Sequence, residues 1–561
     1  MPDNLLIVES PSKATTLKKF LGDDFHILAS YGHVRDLEAK EGAVDPDINF
    51  GMRYKLIERN EKHLKNIIKA ALQSQVIYLA TDPDREGEAI AWHLSQILSE
   101  KKVLNSSKLY RVVFYEITKS AVTDAVNNPR TVSMDLVNAQ QARRALDHLV
   151  GFNLSPLLWK KVGRNLSAGR VQSPALRLIV EREQEIENFD EKEYWSIHFS
   201  CIQKEKKLEA KLFKLNGTKL EQFSIINKDQ QTKVVDDIIK STGLRVTVSE
   251  VVERPKSRKP VAPFITSTLQ QEGIRKLGFS ARETMSVAQQ LYEGIQIDNE
   301  SVGLISYMRT DSVNLSKEAL NDIRQHIMKN FSKHYLPEEP IIYKGKSKNA
   351  QEAHEAVRPT LIERTPKAIK SYLNPRQLAL YELIWKRTVA CQMTNAKYNI
   401  TSIDFGAPDK NTTFRTTGQT LVFDGFTAIY QESNKSDSTD DAILPKLQEG
   451  DTIKIEKIYG LQHHTQPPPR FGEASLVKTL EDYGIGRPST YATIITTLQD
   501  RGYAVLDKKR FIPTDVGRLV NGFLLSHFDK YLEYDFTAKL EEDLDAISNG
   551  EQMWTDVMSN F

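Results

Sequence analysis

Apolar residues fall along the chain in two rhythms. "NLLIVE" (4–9) and "VIYLATD" (76–82) are short continuous runs, the pattern of a parallel strand buried on both faces. A helix signal follows each. After the first, Ser10 and Pro11 open "SPSKATTLKKFLG"; after the second, Ile90, Leu94, Ile97 and Leu98 supply a stripe with a period near 3.6. Strand then helix, twice, predicts an α/β unit with a largely parallel sheet. Residues from about 133 to 188 read as helical. "YWSIHFSCI", "LEAKLFKL" and "LRVTVSEVVE" read as strands, as do "YNITSIDF" and "TLVFDGFTAIY" from about 398 to 430. Between these β-rich blocks, roughly 263–391 is mostly helical, "ESNKSDSTDD" (432–441) is a polar loop, and 467–561 is helical again. No internal repeat is visible, and the order predicts one domain interrupted by another.

Composition narrows the class. At 561 residues the chain is expected to hold three to five domains, at roughly 100–200 residues each. With 40% hydrophobic and 27% charged residues it reads as soluble. No apolar run approaches the ~18–20 residues of a membrane helix, and "MPDNLLIVES" lacks the basic start of a signal peptide. A cytoplasmic, nucleoid-associated protein without a membrane partner is expected. Cys201 and Cys391 form no C-x-x-C pair, which supports neither a disulfide framework nor a zinc ribbon. The net charge of +2 leaves 76 basic against 74 acidic residues, so distribution matters more than sum.

One basic concentration stands out. Between Arg143 and Arg182 lie Arg144, Lys160, Lys161, Arg164, Arg170 and Arg177 against only Asp147 and Glu181, with Phe152 and Trp159 interspersed. Cations for phosphates and aromatic faces for bases suit single-stranded nucleic acid; a solvated pair of helices is the alternative. Small residues in "SAGRVQS" (167–173) would let a phosphate backbone approach main-chain N–H groups.

Carboxylates crowd "TDPDREGE" (81–88): Asp82, Asp84, Glu86 and Glu88, with Glu9 ending the other predicted strand. Sites in open α/β sheets lie beyond the carboxyl ends of strands, where Glu9 and Asp82 both fall. Such a group repels itself unless a divalent cation sits within it, and magnesium suits a few carboxylates plus waters and phosphate oxygens. Acidic residues also favour a helix N-terminus without any ligand.

In "GLISYMRTDS" (303–312) an extended Ile305–Asp311 would put Tyr307, Arg309 and Asp311 on one face. A tyrosine nucleophile needs a nearby cation, since its hydroxyl ordinarily titrates near ~10; Arg309 is so placed. "AQEAHEAVRPT" adds His354 and Arg358, without the second histidine of a metalloprotease helix.

"IVESPSKA", "GHVRDL", "TDPDREGEAIAWHL", "QQARRALDHLVGF", "LSAGRVQSPALRLI", "ISYMRTDS", "AQEAHEAVRPT" and "GIGRPSTYATII", in this order from about residue 4 to 550, resemble the bacterial type IA DNA topoisomerases. The resemblance implies a multidomain α/β and α+β fold, a four-domain toroid. Its parts would be a Toprim domain (1–132), a helical single-strand DNA-binding domain (133–188 and 464–561), a β-rich arch (189–262 and 392–463) and a helical domain carrying the tyrosine (263–391). It implies relaxation of negatively supercoiled DNA through a 5′-phosphotyrosine intermediate, by a monomer. No G-x-x-x-x-G-K-[ST] loop occurs, which fits an exchange of one phosphodiester for another that retains bond energy and requires no nucleotide cofactor. Tyr307 would attack, Arg309 stabilise the phosphate, Lys13 contact it, and Glu9 assist proton transfer to the leaving oxygen. Glu9, Asp82, Asp84 and Glu86 would hold Mg2+. His33, Arg143, Arg144, Asp147, His148, Phe152, Lys160, Ser167, Ala168, Gly169, Arg170, Val171, Gln172, His354, Arg487 and Arg501 would contact DNA. Relatives commonly carry cysteine-rich zinc ribbons, which are absent from this sequence, and many have tyrosine where Phe152 stands. A Toprim nuclease or primase explains the carboxylates but not "ISYMRTDS"; a non-catalytic single-strand binder explains only the basic stretch.

Overall fold

The computed structural model describes residues 3–203, 206–298, 300–345, 355–409, 411–431 and 444–561. The polar loop expected at 432–441 and His354 lie outside these.

The N-terminal part is built on a four-stranded sheet in the order Phe25–Ala29, Asn4–Val8, Val76–Leu79, Lys108–Arg111. All three pairings are parallel. The two central strands are the continuous apolar runs. The two edge strands were not expected: "FHILA" is only half-buried and "KLYR" carries two cations in four residues, because an edge needs less apolar surface than a centre. Ser10 caps the helix Pro11–Leu21, its side chain accepting from Lys13 N–H. Asp84 caps the helix Arg85–Glu100, accepting from Gly87 N–H at 2.9 Å. Gly87 has no alternative, since a Cβ there would lie 2.2 Å from the Asp82 carbonyl.

The alternation along Asn4–Val8 divides two cores. Leu5 and Ile7 pack with Ile77, Leu79, Ile90, Leu94 and Ile97. Leu6, Val8 and Ala80 pack on the opposite face with Leu291, Tyr292, Tyr307, Met308, Tyr381 and Ile384. That second face carries the residues around Tyr307 onto the sheet.

The two β-rich blocks form one antiparallel sheet, in the order Thr452–Lys454, Arg245–Arg258, Ala396–Gly406, Thr413–Phe423, Lys206–Leu215, Glu193–Gln203, Lys457–His464, with Thr218–Lys219 paired to Lys206–Leu215. Arg258 pairs with Ala396, so the chain leaves this sheet and returns to it at one place. The intervening segment contributes the helices Thr266–Glu272, Ala281–Glu293, Lys317–Asn330 and Pro375–Ala390, plus a short hairpin of Ile295–Ile297 and Glu300–Val302. The run read as a strand to about 430 stops at Phe423; Gly425 follows at φ +50°, where a Cβ would press 2.5 Å against the Asn395 and Thr394 carbonyls.

The long helix Met134–Lys161 and the helix Gln172–Glu187 pack against the C-terminal helices. A hairpin, Ala504–Asp507 with Arg510–Pro513, interrupts the C-terminal helical run.

Candidate active site

Glu9 and Asp82 meet at the carboxyl end of the parallel sheet. Glu9 Oε2 accepts from Asp82 N–H at 2.9 Å. Lys13, one turn into its helix and fully buried, bridges them, with Nζ 2.9 Å from Glu9 Oε1 and 3.0 Å from Asp82 Oδ1. Burial and the Asp82 charge push the Glu9 carboxyl up to about 8. Burial also opposes the ionisation of Asp82, but Lys13 and Arg309 hold it below the usual carboxylate range. Of the two carboxyls, Glu9 is therefore the one that takes up a proton more readily.

Tyr307 reaches this end from the far side. Its hydroxyl donates to Asp84 Oδ2 at 2.7 Å, and Arg309 Nη1 donates to the same oxygen at 3.3 Å. Asp84 is therefore both helix cap and partner of the tyrosine. Tyr307 is 2% exposed; burial and the charges of Asp82 and Asp84 raise its hydroxyl well above 10, against the pull of Arg309. Tyr292, which the sequence did not single out, packs edge-on to Tyr307 at 5.2 Å between ring centroids.

Residues 305–311 are not the expected strand. Only Ile305 makes an isolated bridge, to Pro359. The neighbours on its two sides come from separate segments: Tyr307 N–H donates to Tyr115 O at 2.8 Å and Ser306 N–H to Arg358 O at 2.8 Å. With one or two contacts from each, no ladder propagates. Tyr307 and Arg309 still share a side, because both reach Asp84.

Glu88 does not join the group. It is fully buried and bonded to Arg111 Nε at 2.9 Å, Arg130 Nη1 at 2.8 Å and Ser133 N–H at 2.7 Å. Its place on the helix turns it away and makes it a brace. Glu86 faces His33 Nε2 at 3.3 Å and Gln140 Nε2 at 3.2 Å. Burial opposes its charge, yet His33 and Arg143 bring it down to about 2.

Glu9, His33, Asp82, Asp84, Glu86 and Arg309 line one cavity of about 620 Å³. Among the described residues no three carboxylates, imidazoles or thiols converge as a ready-made metal cage. The donor set nonetheless fits a hard divalent cation: the oxygens of Asp82, Asp84 and Glu86 share the cavity, with volume for the waters that magnesium retains.

The basic stretch is less free than it reads. Arg144 is held bidentate by Asp36 at 2.8 and 2.6 Å. Arg170 is 4% exposed, paired with Asp147 at 3.2 Å and with Glu541. Arg143 is buried beside Asp147 and Ser489. Arg177 and Arg182 pair with Glu181 and Glu185. The N–H groups of Ser167, Ala168 and Gly169, expected to be open to phosphate, donate to Tyr503 Oη, Ser155 Oγ and Ser173 Oγ. Gln172 folds back on Ser167; Val171 precedes the helix Gln172–Glu187. What remains exposed is Lys160, Lys161 and Arg164 with Trp159, and Phe152, stacked 4.2 Å from His148. His148 also meets the Lys40 carbonyl at 3.2 Å. Arg501 is exposed, donating to Asn165 O. Arg487 and Arg85 converge on Asp545 at 2.8 and 3.3 Å, in a second cavity that includes Asp84, Glu86 and Arg309. Asp545 and Arg85 were missed because they lie 460 residues apart and neither pairing is local in the sequence.

The DNA topoisomerase family profile matches residues 131–559, and the Toprim domain profile matches residues 4–117. A Toprim domain is a metal-binding domain. DNA topoisomerase 1 of Xylella fastidiosa (strain Temecula1) is 56% identical over 100% of this chain and 69% of its own length. That of Rickettsia bellii is 52% identical over 99% of this chain and 70% of its own length. The full-length topoisomerase I of Thermotoga maritima superposes with a TM-score of 0.86 at 36% identity, covering 99% of this chain and 88% of that one.

Proposed function

This chain belongs to the type IA DNA topoisomerase family and relaxes DNA, and from that premise we propose that Tyr307 is its nucleophile. The observation that carries the reading is the Tyr307 hydroxyl 2.7 Å from Asp84, with Arg309 on the same carboxylate and Glu9 bonded to Lys13 in the same site. The Tyr307 oxygen forms a bond to phosphorus, and the bond from phosphorus to the 3′-oxygen breaks. The phenolic proton passes toward Asp84, which already accepts it as a hydrogen bond. Glu9 supplies a proton to the departing 3′-oxygen, and Arg309 and Lys13 balance charge on the phosphate. One phosphodiester replaces another, so bond energy is conserved and no nucleotide is needed. After a strand has passed, the 3′-hydroxyl returns and Tyr307 leaves.

We assign Asp82, Asp84 and Glu86 to a magnesium ion, which when bound supplies positive charge toward the DNA phosphates. Phe152 on His148 offers a stacking face for a base, and Lys160, Lys161 and Arg164 offer phosphate contacts. Arg144 and Arg170 act through the acids that hold them, as braces. The four-part division stated from the resemblance, a monomeric state and a nucleoid-associated, cytoplasmic place belong to the same proposal. Among the described residues no helix is long and apolar enough to cross a membrane.

Trapping tests the reading: denaturing the protein on labelled single-stranded DNA is expected to leave a covalent adduct that Tyr307→Phe abolishes. Hydrolysis with no adduct would favour a Toprim nuclease instead.

A further inference from the structure

Polar contacts tie the segment around Tyr307 to the Toprim part at several points, Thr16 with Glu293 and Ser301 among them, and two of them flank one acidic residue. Tyr307 N–H donates to Tyr115 O and Gly303 N–H to Ile117 O. Between those carbonyls, Glu116 turns its carboxylate onto Arg358, 2.9 Å away. Arg358 is fastened to the residue before the nucleophile: Ser306 N–H donates to its carbonyl, its N–H donates to Ser306 Oγ at 2.9 Å, and that hydroxyl donates to Ala356 O at 2.7 Å. Arg358 is 8% exposed and holds a second carboxylate, Glu355, at 2.6 Å. Glu355 moves with Arg358, whereas Glu116 belongs to the Toprim side.

We propose that Glu116 is a positioning residue for Tyr307: it clamps Arg358 only while the tyrosine is docked on the Toprim carboxylates, and so sets how long that docked state lasts. Glu355 keeps Arg358 compensated after undocking. A largely buried guanidinium stripped of every carboxylate is strongly unfavourable; one that always keeps an anion can let the other go. The two glutamates therefore have opposite effects, Glu116 favouring the docked state and Glu355 the undocked one. This rests on the strand-passage reading above, since passage requires Tyr307 to part from Asp84.

The test is single-molecule energy transfer in the full chain, with dyes on the helices Pro11–Leu21 and Lys317–Asn330, bound to a cleavable oligonucleotide. Glu116→Gln is expected to shorten the docked dwell time roughly tenfold, as the loss of one largely buried ion pair implies. Affinity for single strands should hold, and Glu116→Asp should restore part of the dwell time. Glu355→Gln is expected to lengthen it. An unchanged dwell time in Glu116→Gln, or the same direction of change in both Gln variants, would overturn the proposal while leaving the nucleophile in place. A wild-type chain that forms no covalent adduct would overturn the underlying reading, and this one with it.

Discussion

Asp84 makes three contacts with two oxygens. Oδ1 caps the helix through Gly87 N–H, and Oδ2 takes both the Tyr307 hydroxyl and Arg309. Asparagine caps a helix about as well as aspartate but cannot take up the phenolic proton. Asp84→Asn should therefore keep the helix cap and slow cleavage by roughly 10²–10⁴-fold; unchanged cleavage would remove Asp84 from proton transfer. The role proposed for Glu9 predicts a pH dependence. Its carboxyl, raised to about 8, is protonated below that value and loses its proton as pH rises through it. With metal chelated, cleavage of a labelled oligonucleotide should decline above about pH 8, and Glu9→Gln, which cannot titrate, should lack that limb. A limb that persists in the variant would assign the pH dependence to another group. That Glu9 and Asp82 would meet beyond the carboxyl ends of two parallel strands was legible in the sequence; Tyr307 was singled out only by the family resemblance, since a tyrosine and an arginine two residues apart are usually packing. Glu88 misled, because an acid in the first turn of a helix looks the same whether it faces a cavity or Arg111.

At the scale of elements, ion pairs between distant segments do what local pattern could not reveal. Two central strands were legible as continuous apolar runs; the edge strand Phe25–Ala29 was not, having no fully buried residue. Arg170 read as a phosphate ligand because Glu541, its buried partner, lies 371 residues away. That pair fastens the N-terminus of the helix Gln172–Glu187 to the helix Tyr534–Ser548. Glu541→Gln would leave Arg170 with Asp147 alone, and a broken buried pair costs about 3 kcal/mol or more. Urea unfolding should show that loss, and the paired variant Arg170→Met with Glu541→Leu should recover most of it. A loss below about 1 kcal/mol in the single variant would make the pair a surface-like one.

Over the whole molecule, 76 basic residues nearly balance 74 acidic ones, so the proposed DNA binding would fall to exposed cations in small patches. Lys160, Lys161 and Arg164 are exposed, and each phosphate contact to a single strand contributes about 0.7 to the slope of log affinity against log salt. Replacing all three with alanine should reduce that slope by about 2, measured by anisotropy of a labelled single strand; an unchanged slope would move the phosphate path elsewhere. The order of β-rich and helical blocks was legible as an insertion, because the chain leaves and re-enters one sheet at Arg258 and Ala396. The seating of Tyr307 on the parallel sheet was not, since it depends on Leu6, Val8 and Ala80 sharing a core with residues some 200 to 300 positions later. The most direct measurement of the central claim is peptide mapping of the covalent adduct: the protein is quenched on an oligonucleotide, digested, and sequenced by mass spectrometry. The nucleotide should be found on the peptide containing Tyr307, linked through a 5′-phosphate. An adduct on any other tyrosine, or a 3′-phosphate linkage, would contradict the account.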